Sequence, residues 1–528
     1  MKKNNTVKVI INISITLFFL LCVIAPILTM LCRITPEGFK RVIKSAQFGI
    51  SITNSITTAL TATVISLSLA LFAAWCLERT TIKGKTVFGL IFVIPMLIPS
   101  ISHAFGLIAL FGANGLITNI LNLNGSIYGF WGIVAGSVMY SFPVAFLMFT
   151  SILQYEDATP YKAAEVLGIS SFHRLTGITF PYLKKSLISA FFAVFTMIIT
   201  DYGVPLMIGG QRITLSVLMY NKAVAMIDYN SGSVIGAFLL VPAIAAFVVD
   251  LFNPENGQTG FVPETFVPEK KISSDSLAYI FCIITSSFVL APILAFCFMT
   301  FETKYPVDAT FTLYHIQKTI NRGANTYLLN SIIYSLLAAC CGSLLAFLCS
   351  YLTARVKGAF SKGLHLISMT SMAIPGIVLG LSYVIFFNGT PIYGTILIVV
   401  LVNSIHFFSS PYLMMYNTLQ KVNPNLEAVG LSLGVSRQHI VIDVILPKVK
   451  YTLLEMFVYF FVNSMMTISA VSFLAPPAPK PVALMINQFE AQLLMESAAF
   501  VSLLILLINI LLKIIMAVIR NKFVVKEA

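Results

Sequence analysis

The chain has 528 residues, 58% of them hydrophobic and only 10% charged, with a net charge of +13. Soluble domains carry roughly 25% charged residues, so this composition excludes a soluble globular protein and predicts an all-α integral membrane fold. The positive balance reads as a membrane-topology signal, which makes lipids the first expected partner and leaves no role for nucleic acid.

Taken in chain order, Met1-Lys2-Lys3 precede an apolar run from Val7 to Cys32. The run is long enough to span and lacks a small-residue cleavage site, so it is expected to stay as a first helix. Eleven more spans are expected at 55–78, 87–110, 128–152, 187–208, 232–252, 276–300, 328–353, 364–388, 395–418, 452–474 and 497–519, making twelve in all. With the N-terminus inside, inner loops and tails carry 22 Lys and Arg against 10 outside. That asymmetry predicts both termini in the cytoplasm. Pro95, Pro99 and Pro375 are expected to kink spans three and nine. The outer segments 34–50 and 302–326 read as short amphipathic helices. All eight cysteines fall in or beside apolar runs without ligand spacing and read as small buried hydrophobes.

The chain repeats itself. Leu153–Pro181 and Leu419–Pro447 each open with Leu-Gln, place a Gly 15 residues on and a Pro 13 residues after that, at a common offset of 266. Asn54-Ser55, Arg79 and Pro99 recur as Asn330-Ser331, Arg355 and Pro375 at an offset of 276. The first half therefore holds about ten extra residues, expected near 112–124. Six spans per repeat is an even number, so the two repeats are expected to be parallel. The expected domains are 1–252 with loop 153–181, a Pro-, Gly- and Glu-rich cytoplasmic linker at 253–275, and 276–528 with loop 419–447.

Each polar loop reads as a helix–turn–helix on the cytoplasmic side. Thr159-Pro160 and Asn423-Pro424 look like helix starts. Gly168 and Gly434 sit where a left-handed cap is wanted, and Ser170 and Ser436 can cap a second short helix. Pro181 and Pro447 are expected to stop the segment before the next span. On these residues the loops resemble the EAA-type coupling loops of permease subunits in binding-protein-dependent ABC importers. Ala163, Ala164, Gly168 and Pro181 match the pattern in the first copy, with Lys162 where Glu is usual. Gly434 and Leu446-Pro447 match in the second, where Ala428 takes the Glu position and Glu427 lies one residue before it. The resemblance implies two ATP-binding subunits docked on these loops, an extracytoplasmic solute-binding protein as a further partner, and a bacterial inner membrane as location. Fused twelve-span chains of this kind are similar to the ferric-iron, thiamine and 2-aminoethylphosphonate branch. Thr200-Asp201-Tyr202-Gly203-Val204-Pro205 looks like that branch's TDFG-type stretch, and Thr467–Val471 is similar to its phosphonate permeases.

The chain itself carries no expected catalytic residue, metal site or cofactor. Gly84-Lys85-Thr86 ends like a Walker A loop, but Arg79 stands where the first Gly is needed. Polar residues in apolar surroundings are the pathway candidates. Asp201 and Tyr202 in span five, His406 in span ten and Thr467 in span eleven are named on that ground. For Asp201 a gate role and an interhelical hydrogen bond or cap both stand open. For His406 a ligand and a satisfied core histidine do. The alternative to an importer permease is a proton-coupled secondary transporter of the major-facilitator kind. The loop from Glu78 to Lys85 lacks that family's basic motif.

Overall fold

The computed structural model describes residues 13–122, 125–252, 264, 266–356, 359–474 and 480–525. Among them, nine helices are long and apolar enough to cross a membrane, and eleven spans result if each of two bent pairs counts as one. The helix Leu446–Met466 lies where span eleven was expected but falls outside that count, diluted by Lys448, Lys450, Glu455 and Asn463. The fold is all-α apart from one hairpin, Glu302–Lys304 with Asp308–Phe311, inside the segment expected to be only helical. Helices Pro36–Lys44 and Tyr314–Asn321 fill the remainder of the two outer segments. Of the expected linker, 253–263 and 265 lie outside the described residues.

Two long helices, Ala46–Arg79 and Ala324–Arg355, act as the spine of each half. Both bury a stripe of small residues at helical spacing: Ser55, Ala59, Ala62 and Ser66 in one, and Ser331, Ser335, Ala338 and Gly342 in the other. Lipid tails are as apolar as Leu, so close backbone packing rather than apolar burial brings such helices together. Phe130–Gln154 packs on the first stripe, and Leu446–Met466 with Ser409–Lys421 on the second. The repeated Asn-Ser pairs acquire a role here. Ser55 Oγ accepts from Leu215 N at 2.6 Å and Ser331 Oγ from Val482 N at 2.7 Å, tying each spine to a distant chain reversal.

Several expectations are corrected. Spans three and nine are broken rather than kinked. Helix Lys85–Val93 ends in a 3-10 turn, Ile94–Leu97, before Ser100–Phe111 begins. In the second half the axes of 361–373 and 376–387 differ by 104°. Pro99 and Pro375 sit at the breaks in extended backbone, because neither offers an N–H to continue the helix. Span five ends at Thr200, not at 208, so Asp201 follows the helix instead of lying within it. Thr467 follows Leu446–Met466 in the same way. Only four cysteines are buried. Cys32, Cys340 and Cys341 are exposed on the protein surface, as apolar side chains facing lipid need no protein cover. The short helix Leu116–Leu121 falls in the expected insertion.

The halves interlock with an approximate two-fold relation. Helix Ser100–Phe111 packs on Ile272–Phe301 of the second half, as Gly376–Phe387 packs on Ala25–Cys32 and Tyr229–Phe252 of the first. Asn509 donates to Leu97 O at 2.9 Å, the Ser102 and Ser502 hydroxyls bond at 2.9 Å, and Tyr383 OH donates to Cys22 O at 2.6 Å. One close crossing is at Gly106, where a Cβ would lie 2.4 Å from Pro292 Cβ. Gly106→Val should force the crossing apart and destabilise the fold by about 1–3 kcal/mol. The check is a lowered melting temperature in detergent, with Gly49→Val as control, since a Cβ there meets nothing within 4 Å.

Candidate functional site

The two repeated loops adopt the same structure. The first has helices Thr159–Val166 and Ser171–Arg174, then a π-turn, Leu175–Thr179, leading into Phe180–Thr200. The second has Leu426–Ser432, Arg437–His439 and the π-turn Ile440–Ile445 leading into Leu446–Met466. The starting residue of the first loop differs from expectation, whereas Asn423 keeps its place in the second. Asp157 Oδ1 accepts from Thr159 N at 3.0 Å, and Asn423 Oδ1 from Asn425 N at 2.9 Å. Asp157 and Asn423 are therefore the equivalent pair at the 266 offset, and Thr159 is the residue being capped.

Both glycines hold the left-handed cap, with φ of 69° at Gly168 and 77° at Gly434. The last carbonyls of a helix have no partner within it. Here the chain folds back to satisfy them: Gly168 N donates to Glu165 O and Ile169 N to Ala164 O, as Gly434 N donates to Leu431 O and Val435 N to Gly430 O. Ser170 and Ser436 then cap the second helices as expected, each hydroxyl also meeting the Nδ1 of His173 or His439 at 2.8 Å. Pro181 and Pro447 do not stop the segment. Each lies in the first turn of its long helix, where a missing N–H is tolerated, and the widened π-turn before it makes room for the ring. Each repeated loop is thus continuous with the long helix that follows it.

The loop tips expose apolar side chains, among them Val166, Leu167 and Phe172 in the first and Val429 and Leu433 in the second. Ala163 is exposed, Ala164 buried, and Lys162 pairs with Glu264. Glu427 turns inward. It receives Arg355 Nε on Oε1 at 2.7 Å and pairs with the same guanidinium through Oε2. Arg355 also donates to Val422 O at 2.7 Å and Asn423 O at 2.8 Å. In the first half Arg79 pairs with Glu156 and lies 4.1 Å from the centre of the Phe266 ring. Ala158 N donates to Glu264 O at 3.0 Å, and Asp275 accepts from Thr81 N and Oγ1 at 2.8 and 2.6 Å. Residues 264 and 266–275 are thereby strapped over the base of the first loop, bordering an open cavity of about 580 Å³.

A second cavity, about 300 Å³, lies between the halves. Tyr140 and His406, equivalent at the 266 offset, both line it, with Asp201, Pro375, Tyr459 and Ser469. Asp201 Oδ1 accepts from Ser100 Oγ at 2.7 Å and Oδ2 from Val204 N at 2.9 Å. Its carboxylate is a cap on Gly203–Ile208 as well as a lining group. His406 Nδ1 is buried without a partner among the described residues, and Gly376 packs so closely that a Cβ would lie 2.8 Å from Nε2. Tyr202 and Thr467 are buried but are not among the lining residues. Tyr202 instead bridges the halves, its hydroxyl bonded to that of Ser472 and its ring stacked on Tyr220 at 5.0 Å. Among the described residues no group of three or more His, Cys, Asp and Glu could hold a metal ion.

A Cβ at Gly168 or Gly434 would meet nothing within 4 Å, so substitution there is opposed by backbone conformation alone. Gly168→Ala or Gly434→Ala should loosen its loop by about 1–2 kcal/mol, read as roughly 5- to 30-fold faster amide exchange around the cap. Burial alone would raise the Glu427 carboxyl, but the hydrogen bonds from Arg355 outweigh it and hold it below the usual glutamate range. Its contribution is therefore complete above the unfolded value of about 4.3 and is lost as pH falls through the lower folded value. Cleavage of the second loop by an acid-active protease should rise only below about pH 4.

Residues 66–254 and 340–525 each match the family model described as "Binding-protein-dependent transport system inner membrane component". The chain is 25% identical over 460 residues to the "Putative ferric transport system permease protein FbpB 1" of Haemophilus influenzae, covering 83% of this chain and 72% of that one. It is likewise 25% identical over 460 residues to the "Ferric transport system permease protein FbpB" of Actinobacillus pleuropneumoniae, spanning 66% of that relative's length. A solved chain from a bacterial alginate ABC transporter, in complex with an alginate pentasaccharide-bound periplasmic protein, aligns with a TM-score of 0.40 at 16% identity, over 50% of this chain and 98% of that one. Matched twice and over most of its length, the chain belongs to the family of binding-protein-dependent transport system inner membrane components.

Proposed function

We propose that the chain forms the translocation path of an ATP-driven importer in a bacterial inner membrane. In this reading it has twelve spans as two parallel six-span repeats, with both termini cytoplasmic. One ATP-binding subunit docks on each loop, around Gly168 and Gly434, and a loaded solute-binding protein docks on the outer face. The observation that carries the proposal is the matched pair of Gly-capped loops, each continuous with a helix that ends beside the central cavity. Phe180–Thr200 has 21 residues, about 30 Å of helix at 1.5 Å per residue. It leads from the first loop to Asp201, as Leu446–Met466 leads from the second loop to Thr467. Closure of the ATP-binding subunits on the loops would move these rods and switch the path between outward and inward access. It can shift that equilibrium only by its differential affinity for the two states.

For the cargo we favour ferric iron over a 2-aminoethylphosphonate-type solute. The cavity is lined by a carboxylate, an imidazole and several hydroxyls, with no Lys or Arg among its lining residues. A phosphonate would bring an anionic charge into that space with nothing to pair it. The ferric permeases among the relatives support the same choice. A proton-coupled carrier gives no reason for the paired loops.

Gly168→Pro combined with Gly434→Pro places a residue fixed near φ −65° where φ is strongly positive. The double variant should insert normally, hydrolyse ATP with its partners and lose uptake. Normal uptake would sink the coupling role of the loops. Isolation of the tagged chain should recover two ATP-binding subunits per chain, and a co-isolated binding protein should take up ferric ion in preference to phosphonates.

A further inference from the structure

Arg79 and Arg355 are the last residues of the two spine helices, Ala46–Arg79 and Ala324–Arg355. Both guanidinium groups are nearly buried, with side-chain exposures of 9% and 5%, and each is paired with a carboxylate of its own half's docking loop. A buried cation of this kind is tolerated only while its partner stays in place. The arginines are equivalent at the 276 offset, but their carboxylates are not equivalent at the loops' 266 offset. Glu156 corresponds to Val422, and Glu427 corresponds to Tyr161.

The structure explains the mismatch. Tyr161 OH donates to Glu156 Oε1 at 2.5 Å and meets Thr179 Oγ1 at 2.7 Å. The position that supplies the carboxylate in the second loop thus supplies, in the first, a phenol that steadies a carboxylate brought from five residues earlier. Two different sequence solutions deliver the same ion pair to the same place. A packing accident in one half would leave no reason for the other half to rebuild it with other residues.

We propose that Arg79 and Arg355 are positioning residues that fasten each docking loop to its spine helix, so that loop movement is transmitted to two helices per half. The inference rests on the coupling role of the loops proposed above. The covalent route runs through the π-turn into Phe180–Thr200 or Leu446–Met466. The arginine supplies the second route, and in the second half it also grips the loop's first turn through Leu419 O, Val422 O and Asn423 O. With the arginine free, a docked loop can swing on its covalent attachment without moving the spine.

The experiment uses the full complex, purified with its ATP-binding subunits and supplied with its binding protein, and reads ferric ion imported per ATP hydrolysed at equal amounts of complex. Glu156→Val is expected to lower that ratio about tenfold or more while subunit recovery is unchanged. Adding Tyr161→Glu rebuilds the second loop's arrangement in the first, and should return the ratio to within about threefold of the parent. Glu427→Gln, which keeps shape and removes charge, should give the same loss in the second half and serves if Glu156→Val fails to accumulate. Unchanged coupling in Glu156→Val or in Glu427→Gln overturns the proposal, as does a Glu156→Val/Tyr161→Glu pair no better than the single variant. A parent chain that purifies without any ATP-binding subunit would instead overturn the underlying importer reading, a separate and recognisable result.

Discussion

A lipid interior offers no hydrogen bond to a broken backbone, and that constraint shapes every irregular part of this molecule. The helical path is interrupted at Pro99, Asp201, Pro375, Phe407 and Thr467. The breaks lie inside protein, and fixed donors and acceptors answer the freed backbone groups. Asp201 caps the helix after its own break, Ser216 Oγ donates to Asp201 O at 2.7 Å, and Asn509 answers Leu97 O from the opposite half. The breaks at Asp201, Pro375 and Phe407 border the cavity between the halves, so cavity and broken helix have the same cause there. A cavity here requires ends of helices, and ends of helices require polar side chains that an unbroken span would not tolerate.

The interlocking of the halves follows from the same geometry. A helix broken midway cannot pack along its whole length on neighbours from its own half, and Ser100–Phe111 and Gly376–Phe387 each pack on the other half as well as on their own. The sequence repeat and the packing unit therefore differ. Each half supplies the helix that fills the other, and the sites where this happens, such as Gly106 against Pro292, admit no added atom.

Hydropathy made most spans legible, because a run of about 20 apolar residues has few other uses. Leu446–Met466 is the weakest case, diluted by Lys448, Lys450, Glu455 and Asn463, and the span expected at 452–474 overlaps most of it. The Gly caps were legible because a helix stop with positive φ selects one residue type. The first loop's helix start misleads by chemical likeness. Thr159-Pro160 looks like Asn423-Pro424, but the constant offset of 266 pairs Asn423 with Asp157, and the structure follows the offset. Glu427 was marked for its nearness to a motif position, whereas its partner, Arg355, lies 72 residues away and could be found only in three dimensions. Likewise, Asn54-Ser55 was visible as a repeat, but its acceptor role depends on Leu215, 160 residues downstream. The hairpin at 302–311 carries too little alternation to separate it from an amphipathic helix.

The strap over the first loop bears on how such a chain can be divided. Glu264, Phe266 and Asp275 come after Tyr229–Phe252, the last long helix of the first half, yet they close over its loop. A homodimer assembled from two copies of residues 1–252 would expose the face of Arg79 that Phe266 covers and would leave Lys162 without Glu264. The covalent join is therefore a working part of the first half and not only a tether, and the two-fold plan of the fold cannot be reduced to two identical chains. A version split into separate polypeptides would keep this arrangement only if the cut fell before Glu264, leaving the strap to arrive with the second half.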